Sequence, residues 1–163
     1  MTDGESRSAE AAGIDVSIPP LDDTAREAAA ERQQQLLKPP GILGRLEAMA
    51  VEIAAMQATT TPSVDPAVLL TLAADHGVTS EGVSAYPASV TAAMVNAVES
   101  GDAAINALAG AADIDTHVVD MGVDGDVPAG VIDHHIADGT ANMASEPAMT
   151  AAHARESIAA GRE

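Results

Sequence analysis

The sequence predicts an α/β fold: a parallel Rossmann-like sheet flanked by helices, with a small helical subdomain formed by an N-terminal hairpin. Two observations predict the sheet. Short apolar runs at residues 67–74 and 116–121 are separated by a helical stretch, and this order gives a right-handed unit with parallel strands. The hairpin is predicted because two helical stretches precede the first strand and are separated by Lys38-Pro39-Pro40-Gly41.

Composition limits the functions that the chain can have. Its 163 residues suffice for a real core, but it has no Phe or Trp and a single Tyr, so the core must be aliphatic. Twenty-five acidic against seven basic residues give a net charge of −18, which disfavours nucleic acids and anionic membranes as partners. Because the acids are scattered through foldable sequence, we expect a halophilic protein. The absence of cysteine excludes disulfides, thiolate zinc sites and cysteine nucleophiles.

Three regions are expected along the chain. Residues 1–17 are polar and aperiodic and predict a disordered tail; without a basic start or an apolar stretch they show no secretory signal, so we expect a cytoplasmic protein. Residues 18–57 predict the hairpin, with helices from Asp22 or Asp23 to about Leu37 and from about Leu43 to Gln57. Residues 58–163 begin with a linker and predict the first part of an α/β domain, which we expect to be truncated. The predicted apolar face of the second helix consists of Leu43, Leu46, Ala50, Ile53 and Ala54.

The first predicted strand leads into the most informative loop. Residues 67–74 form a continuous apolar run that is typical of a strand buried on both faces, and Asp75-His76-Gly77 ends it. About ten loop residues separate this strand from a helix, which places the loop at the carboxyl edge of the sheet, where open α/β folds bind ligands. An alternative interpretation of Asp75 and His76 is ordinary turn chemistry.

The remaining elements follow in order. A helix begins near Ala88, breaks at Ser100-Gly101 and resumes through Asp102 to Ala112, with Ser100 or Asp102 as its cap. The second strand, residues 116–121, brings Asp120 to the same sheet edge as Asp75. A third strand is expected at residues 131–137, then a turn at residues 138–140. Thr150 is expected to cap a last helix, residues 151–160.

Several motifs in register resemble one known family, the nicotinate-nucleotide–dimethylbenzimidazole phosphoribosyltransferases of cobalamin synthesis. The resemblance covers roughly residues 18–161. The residues that carry it are Lys38-Pro39-Pro40-Gly41-Ile42-Leu43-Gly44-Arg45-Leu46-Glu47, Ala74-Asp75-His76-Gly77-Val78, Glu81-Gly82-Val83-Ser84-Ala85-Tyr86-Pro87, Val90-Thr91 and Asp102-Ala103-Ala104-Ile105-Asn106.

The resemblance implies transfer of phosphoribosyl from nicotinate mononucleotide to dimethylbenzimidazole, giving α-ribazole phosphate, by a homodimeric enzyme that needs no cofactor or metal. It also implies a benzimidazole pocket, whose candidate residues here are Asp75, His76, Tyr86, Pro87 and Met94. Tyr86 is the only aromatic side chain that could stack on the base, and the alternative is a core tyrosine with a satisfied hydroxyl.

The sequence also departs from the family pattern. Ile42 stands where the family usually has Ser, and no Gln occurs near Ala93 or Met94 to contact the base. The family's Gly-rich phosphate loop and its general-base Glu are expected beyond residue 163. By the resemblance, the chain therefore carries no catalytic residue and corresponds to about the first half of the enzyme.

Two other functions stay open at this point. The chain could be a non-catalytic binding module for benzimidazole-like bases. Alternatively, Asp133-His134-His135 is similar to the Asp-His-His signature of metal-dependent phosphoesterases, although Asp124-Gly125-Asp126 lies in the wrong place to complete such a site. The simpler interpretation of this motif is an exposed strand end with solvated histidines.

Overall fold

The computed structural model describes residues 17–162. The predicted tail therefore lies outside the described residues, apart from Ser17. The chain divides into two compact units with the boundary between Asp65 and Pro66, inside the linker that the sequence predicts at residues 58–66.

The first unit contains the helical hairpin. Helix α1 spans Asp23–Gln35 and helix α2 spans Arg45–Gln57, and the two pack against each other. The Asp22 carboxylate caps α1 by accepting a hydrogen bond of 2.9 Å from the Ala25 N–H, as the sequence predicts for an acid at the positive end of a helix. Across the hairpin, Lys38 Nζ lies 2.7 Å from Glu47 Oε1.

The apolar face predicted for the second helix is only partly correct. Ala54 is fully buried, but Leu43 and Leu46 are exposed, and Leu43 precedes the first residue of α2. The buried residues of the hairpin are all alanines, whose small side chains let two helices approach closely. The residues in question are Ala25, Ala29, Ala54 and Ala55.

The second unit is a three-stranded parallel sheet with helices. Its elements are β1 (Val68–Ala74), a 3-10 turn (Gly77–Glu81), α3 (Ser89–Glu99), α4 (Ala104–Ala111), β2 (Asp115–Gly122), β3 (Ile132–Asp133) and α5 (Ala151–Ala160). The strand order is β1-β2-β3, and both neighbouring pairs are parallel. This confirms the predicted strand–helix–strand unit and the α/β fold class.

Helices α3 and α4 pack against β2. Five buried valines form the centre of the core of this unit, with Ala73 of β1 packed against them. These valines are Val95, Val98, Val118, Val123 and Val131. The prediction that the first strand is buried on both faces is wrong for the described residues. Val68, Leu70 and Leu72 alternate with the core-facing side chains and are exposed.

The third strand is much shorter than residues 131–137. It ends at Asp133, after which the His134 N–H donates to the Asp120 carbonyl oxygen at 3.0 Å and the chain leaves the sheet. The predicted cap of α4 is also wrong. The sequence predicts Ser100 or Asp102 as the cap. In the structure, the Asn106 side chain caps the start of α4 by accepting a hydrogen bond of 3.2 Å from the Ala103 N–H.

The last helix matches its prediction. Thr150 Oγ1 accepts a hydrogen bond of 3.1 Å from the His153 N–H at the start of α5. Between residues 17 and 162, every helix is too short or too polar to cross a bilayer.

Candidate functional site

An open cleft of about 420 Å³ lies at the carboxyl end of β1. It lies between β1, the loop that follows β1, and α3. All five residues that the sequence singles out for a base pocket line this cleft. The lining consists of Thr71, Ala73, Ala74, Asp75, His76, Thr79, Ser84, Tyr86, Pro87, Ala88, Val90, Thr91, Met94, Val95, Val98 and Val118.

Asp75 lines the cleft and is only 6% exposed. Its Oδ1 accepts a hydrogen bond of 2.7 Å from the Thr91 hydroxyl, and its Oδ2 accepts one of 2.9 Å from the Asp124 N–H. The carboxylate therefore joins the end of β1 to helix α3 and to the loop after β2. Buried carboxylates need such donors, because an unpaired charge away from water is costly.

His76 lies at the mouth of the cleft beside Thr140. Its Nδ1 is 3.4 Å from Thr140 Oγ1, and the two residues form an isolated parallel bridge. The backbone bonds of this bridge run from the Thr140 N–H to the Asp75 carbonyl oxygen, at 3.0 Å, and from the Gly77 N–H to the Thr140 carbonyl oxygen, at 2.9 Å. The interpretation of Asp75 and His76 as residues of a plain local turn therefore fails, because their partners lie far away in the sequence.

Tyr86 and Met94 form the accessible apolar wall of the cleft. Tyr86 is 70% exposed and Met94 is 51% exposed, although both line it. The alternative of a core tyrosine is therefore wrong. Pro87 follows Tyr86 on the lining, and a hydrogen bond of 3.2 Å from the Tyr86 N–H to Ser84 Oγ fixes the turn that presents the ring. An exposed aromatic ring among apolar lining residues can stack on a flat ligand.

A second polar centre lies at the end of β2. Asp120, 4% exposed, accepts at Oδ1 from the Gly122 and Val123 N–H groups, both at 2.8 Å. Its Oδ2 lies 3.0 Å from His135 Nδ1, and His135 Nε2 lies 3.1 Å from Asp138 Oδ1. This cluster of Asp120, His135 and Asp138 is called the acid–histidine cluster below.

Electrostatics within the cluster favour an ion pair. Hydrogen bonding to the Asp120 carboxylate raises the pKa of His135 above its ordinary value, against the opposing effect of partial burial. Burial alone would raise the pKa of Asp120, but hydrogen bonds from the Val123 N–H, His135 and the Gly122 N–H outweigh it, and that pKa is lowered.

The sequence interpretation missed this role of His135, which it treated as solvated. A usable signal was present, because the ends of parallel strands meet at one sheet edge. Asp120 ends the second predicted strand, and His135 lies in the third, next to it.

The Asp-His-His motif does not build a metal centre. Asp133 Oδ1 accepts from the His135 N–H at 3.0 Å, and His135 is engaged by the acid–histidine cluster. Across the described residues, no group of three or more histidine and acidic side chains is placed to hold a metal ion. The other two histidines of the described residues that lie in regular elements are His117 on β2 and His153 on α5.

Comparison with known proteins points to one family. A family model described as a phosphoribosyltransferase matches residues 18–163. The nicotinate-nucleotide–dimethylbenzimidazole phosphoribosyltransferases of Ectopseudomonas mendocina and Chromobacterium violaceum are 46% and 47% identical to the chain, over 88% and 90% of its length. The crystal structure of the enzyme of that name from Thermus thermophilus has a TM-score of 0.82 and 44% identity, and the match covers 87% of this chain and 44% of that one.

The chain is much shorter than the relatives that it matches. The chain spans 42% and 43% of the two relatives from Ectopseudomonas mendocina and Chromobacterium violaceum. Identity above 40% over nearly all the described residues, together with a common fold, still assigns the chain. It belongs to the family of the nicotinate-nucleotide–dimethylbenzimidazole phosphoribosyltransferases and spans less than half the length of these relatives.

Proposed function

We propose that this chain supplies the base-binding cleft of a phosphoribosyltransferase that moves phosphoribosyl from nicotinate mononucleotide to 5,6-dimethylbenzimidazole. The product would be α-ribazole phosphate, used in assembling the lower ligand of cobalamin. The observation that carries the proposal is the cleft of about 420 Å³, whose apolar lining and exposed Tyr86 ring suit a flat, uncharged, bicyclic base.

The polar groups of the cleft fit a ring with nitrogen atoms at one edge. His76 and the hydroxyls of Thr79 and Ser84 lie on the lining, and each can donate or accept a hydrogen bond. Pro87 and Met94 add apolar side chains to the same lining. A base in the cleft would stack its ring on Tyr86 and direct its nitrogen atoms toward these polar side chains.

The charged groups of the cleft are not suited to bind the phosphate of nicotinate mononucleotide or to catalyse the phosphoribosyl transfer. No Lys or Arg is among the residues that line it in the described part of the chain, so nothing there neutralises a phosphate. The one lining carboxylate, Asp75, already accepts hydrogen bonds at both oxygens and is poorly placed to take a ring proton. We therefore propose that the chain binds the base and does not complete the transfer alone.

A non-catalytic binding module is the second candidate. It is favoured by the fact that all the described lining residues belong to the unit that begins at Pro66. The two candidates differ in turnover once the remainder of a family enzyme is supplied. Nothing in the geometry favours a metal-dependent phosphoesterase.

Titration with dimethylbenzimidazole tests the binding proposal. The wild-type chain should bind weakly, and Tyr86→Ala should weaken binding by about fivefold, which corresponds to about 1 kcal/mol of aromatic contact. Met94→Ala should also weaken it. Met143→Ala is the matched control, because Met143 is similarly exposed but does not line the cleft. Equal binding by wild type and Tyr86→Ala would show that the Tyr86 ring does not contact the base.

An activity assay tests whether the chain needs the remaining part of a family enzyme for catalysis. The chain alone should make no α-ribazole phosphate from nicotinate mononucleotide and dimethylbenzimidazole. Adding the remaining part of a relative's chain, fused or separate, should produce it. Product from the isolated chain would mean that the catalytic groups lie within it, and no product from the combination would favour the binding module.

We further propose a cytoplasmic homodimeric assembly adapted to high salt, with neither nucleic acid nor membrane as a partner. The net charge of −18 supports the salt adaptation, since screening relieves repulsion among like charges. The melting temperature should rise steeply between low salt and about molar KCl, where the Debye length is about 3 Å. A melting temperature indifferent to KCl would contradict the adaptation, and sedimentation of the full-length enzyme would test the dimer.

A further inference from the structure

Residues 136–142, called the bridging segment here, lie between the acid–histidine cluster and the mouth of the cleft. One end follows His135, which contacts Asp120 and Asp138. The other end contains Thr140 and Asn142, which bind the loop after β1. No residue of the acid–histidine cluster lines the cleft itself.

The bridging segment holds the loop after β1 through backbone and side-chain bonds. Thr140 forms the parallel bridge with His76, using the two backbone bonds of 3.0 and 2.9 Å already described. Asn142 Nδ2 donates to Glu81 Oε1 at 2.6 Å and to Ser80 Oγ at 3.1 Å, at the end of the 3-10 turn. The segment therefore determines where residues 75–81 lie, and three of these, Asp75, His76 and Thr79, line the cleft.

The contact between segment and loop is close enough to require glycine on both sides. A Cβ on Gly77 would lie 2.7 Å from the Thr140 carbonyl oxygen and 2.7 Å from the Asn142 nitrogen. A Cβ on Gly139, whose φ is +81°, would lie 3.0 Å from the Asp75 carbonyl oxygen. Backbones this close transmit a shift of the segment directly to the loop.

The chemistry of His135 makes it the anchor of the segment. Both ring nitrogens face carboxylate oxygens, which only accept hydrogen bonds, so both nitrogens must carry a proton for both bonds to form. Only the imidazolium form has two N–H donors. Asp120 is fixed by two backbone amides at the end of β2, so His135 ties Asp138 to a rigid strand end.

We propose that His135 is a positioning residue for the base-binding cleft. By bonding Asp120 and Asp138 at once, its imidazolium holds the bridging segment against residues 75–81 and so fixes His76 and the 3-10 turn at the cleft mouth. The proposal rests on the proposed function for its consequence in base binding, but not for its structural part.

Amide exchange of the full chain at high salt tests the structural part. The reporters are the Gly77 and Thr140 amides, which bond across the contact, and the Val119 amide inside β2 reports on global opening. In His135→Ala, exchange at Gly77 and Thr140 should become faster by about tenfold or more, with little change at Val119. His117→Ala is the control, since His117 is an exposed histidine of β2.

Asp138→Ala provides a second variant that should fold, because the Asp138 side chain is 79% exposed. It removes the bond to the segment and leaves the Asp120–His135 pair intact. Exchange at Gly77 and Thr140 should rise by about threefold or more, again without a change at Val119. His135→Asn keeps a donor near the Nδ1 position and should fall between wild type and His135→Ala.

The outcomes separate the inference from the proposed function. Unchanged exchange at Gly77 and Thr140 in both His135→Ala and Asp138→Ala, or an equal rise at Val119, overturns the inference. Faster local exchange together with weaker dimethylbenzimidazole binding supports it, and faster exchange with unchanged binding overturns its consequence for the cleft. If wild type does not bind the base, the proposed function fails, while the exchange data still decide the structural role of His135.

Discussion

Asp75 and Asp120 occupy equivalent places in the fold but have different partners. Each is a buried aspartate at the carboxyl end of a parallel strand, and Ala73, two residues before Asp75, lies opposite Asp120 in the register. The Asp75 carboxylate accepts from neutral donors, the Thr91 hydroxyl and the Asp124 amide. The Asp120 carboxylate accepts from two amides and faces the imidazole of His135.

The two strand ends also differ in their surroundings. Asp75 and its donor Thr91 line the cleft of about 420 Å³, whereas no residue of the acid–histidine cluster lines it. The imidazole of His135 reaches from Asp120 to the exposed Asp138, so charged side chains connect the end of β2 to the bridging segment. The position of an aspartate at a sheet edge thus indicates a possible site, but the groups that bond its carboxylate decide what else that strand end contacts.

Removing the Asp120 carboxylate should have the largest effect on stability. Asp120→Ala leaves the Gly122 and Val123 amides without their acceptor and His135 without its buried partner. Each buried unsatisfied donor costs about 1–3 kcal/mol, so we expect the free energy of unfolding to fall by about 3 kcal/mol or more. Urea unfolding at constant high salt measures this fall in the free energy of unfolding.

Asp120→Asn serves as the matched control for this change. Its side-chain oxygen can still accept from the two amides, and only the negative charge opposite His135 is lost. We expect it to cost clearly less than Asp120→Ala. Equal losses in the two variants would show that the ion pair, and not the amides, accounts for the stability at the end of β2.

The sheet was the part of the fold that the sequence predicted best. Two apolar runs of strand length with a helical stretch between them leave few arrangements, since such connections are right-handed. The same rule placed Asp75 and Asp120 at one edge, and Asp75, His76, Tyr86, Pro87 and Met94 all line one cleft there. Their contact with a base stays a prediction.

The parts that the sequence did not predict depend on distant partners. His135 contacts Asp120 from fifteen positions away, and it lies beyond the early end of the third strand at Asp133. Exposure of Leu70 and Leu72 likewise depends on what covers that face of the sheet, which an apolar run by itself does not specify. Local patterns predict elements well and side-chain partners poorly.

Loss of the Thr91 donor should have an intermediate effect, and it tests the neutral network at Asp75. Thr91→Val keeps the shape of the side chain but removes the 2.7 Å hydrogen bond to Asp75 Oδ1. Because hydrogen bonds to charged groups contribute about 1.5–3 kcal/mol and Asp75 retains the Asp124 amide, we expect a loss near the lower end, about 1.5 kcal/mol. Urea unfolding measures the loss.

Thr116→Val is the control for this substitution, since no side-chain hydrogen bond of Thr116 occurs in the described residues and it also lies in the α/β unit. It should change the free energy of unfolding by a few tenths of a kcal/mol at most, as is usual for substitutions that break no contact. A loss in Thr116→Val as large as in Thr91→Val would mean that the Thr91–Asp75 bond contributes nothing specific.

The pH dependence of stability should show the smallest effect, and it distinguishes the two strand ends directly. The pKa of His135 is raised in the folded chain, so its stabilising contribution is complete below the unfolded value of about 6.5 and is lost as pH rises through the folded value. The lowered pKa of Asp120 makes its contribution present above about 3.9 and lost as pH falls through the folded value. The Asp120–His135 pair therefore contributes most to the free energy of unfolding between about pH 3.9 and about pH 6.5.

The measurement is the difference in free energy of unfolding between wild type and His135→Gln, followed from about pH 5 to about pH 9. This difference cancels the general rise in repulsion of an acidic chain, which both proteins share. We expect it to shrink by up to about 1 kcal/mol as the pH rises, because a partly exposed pair is screened by solvent and salt. His117→Gln should show no such trend. A difference that stays constant with pH would mean that His135 has the same pKa in the folded and unfolded chain, so that an ion pair with Asp120 contributes nothing to stability.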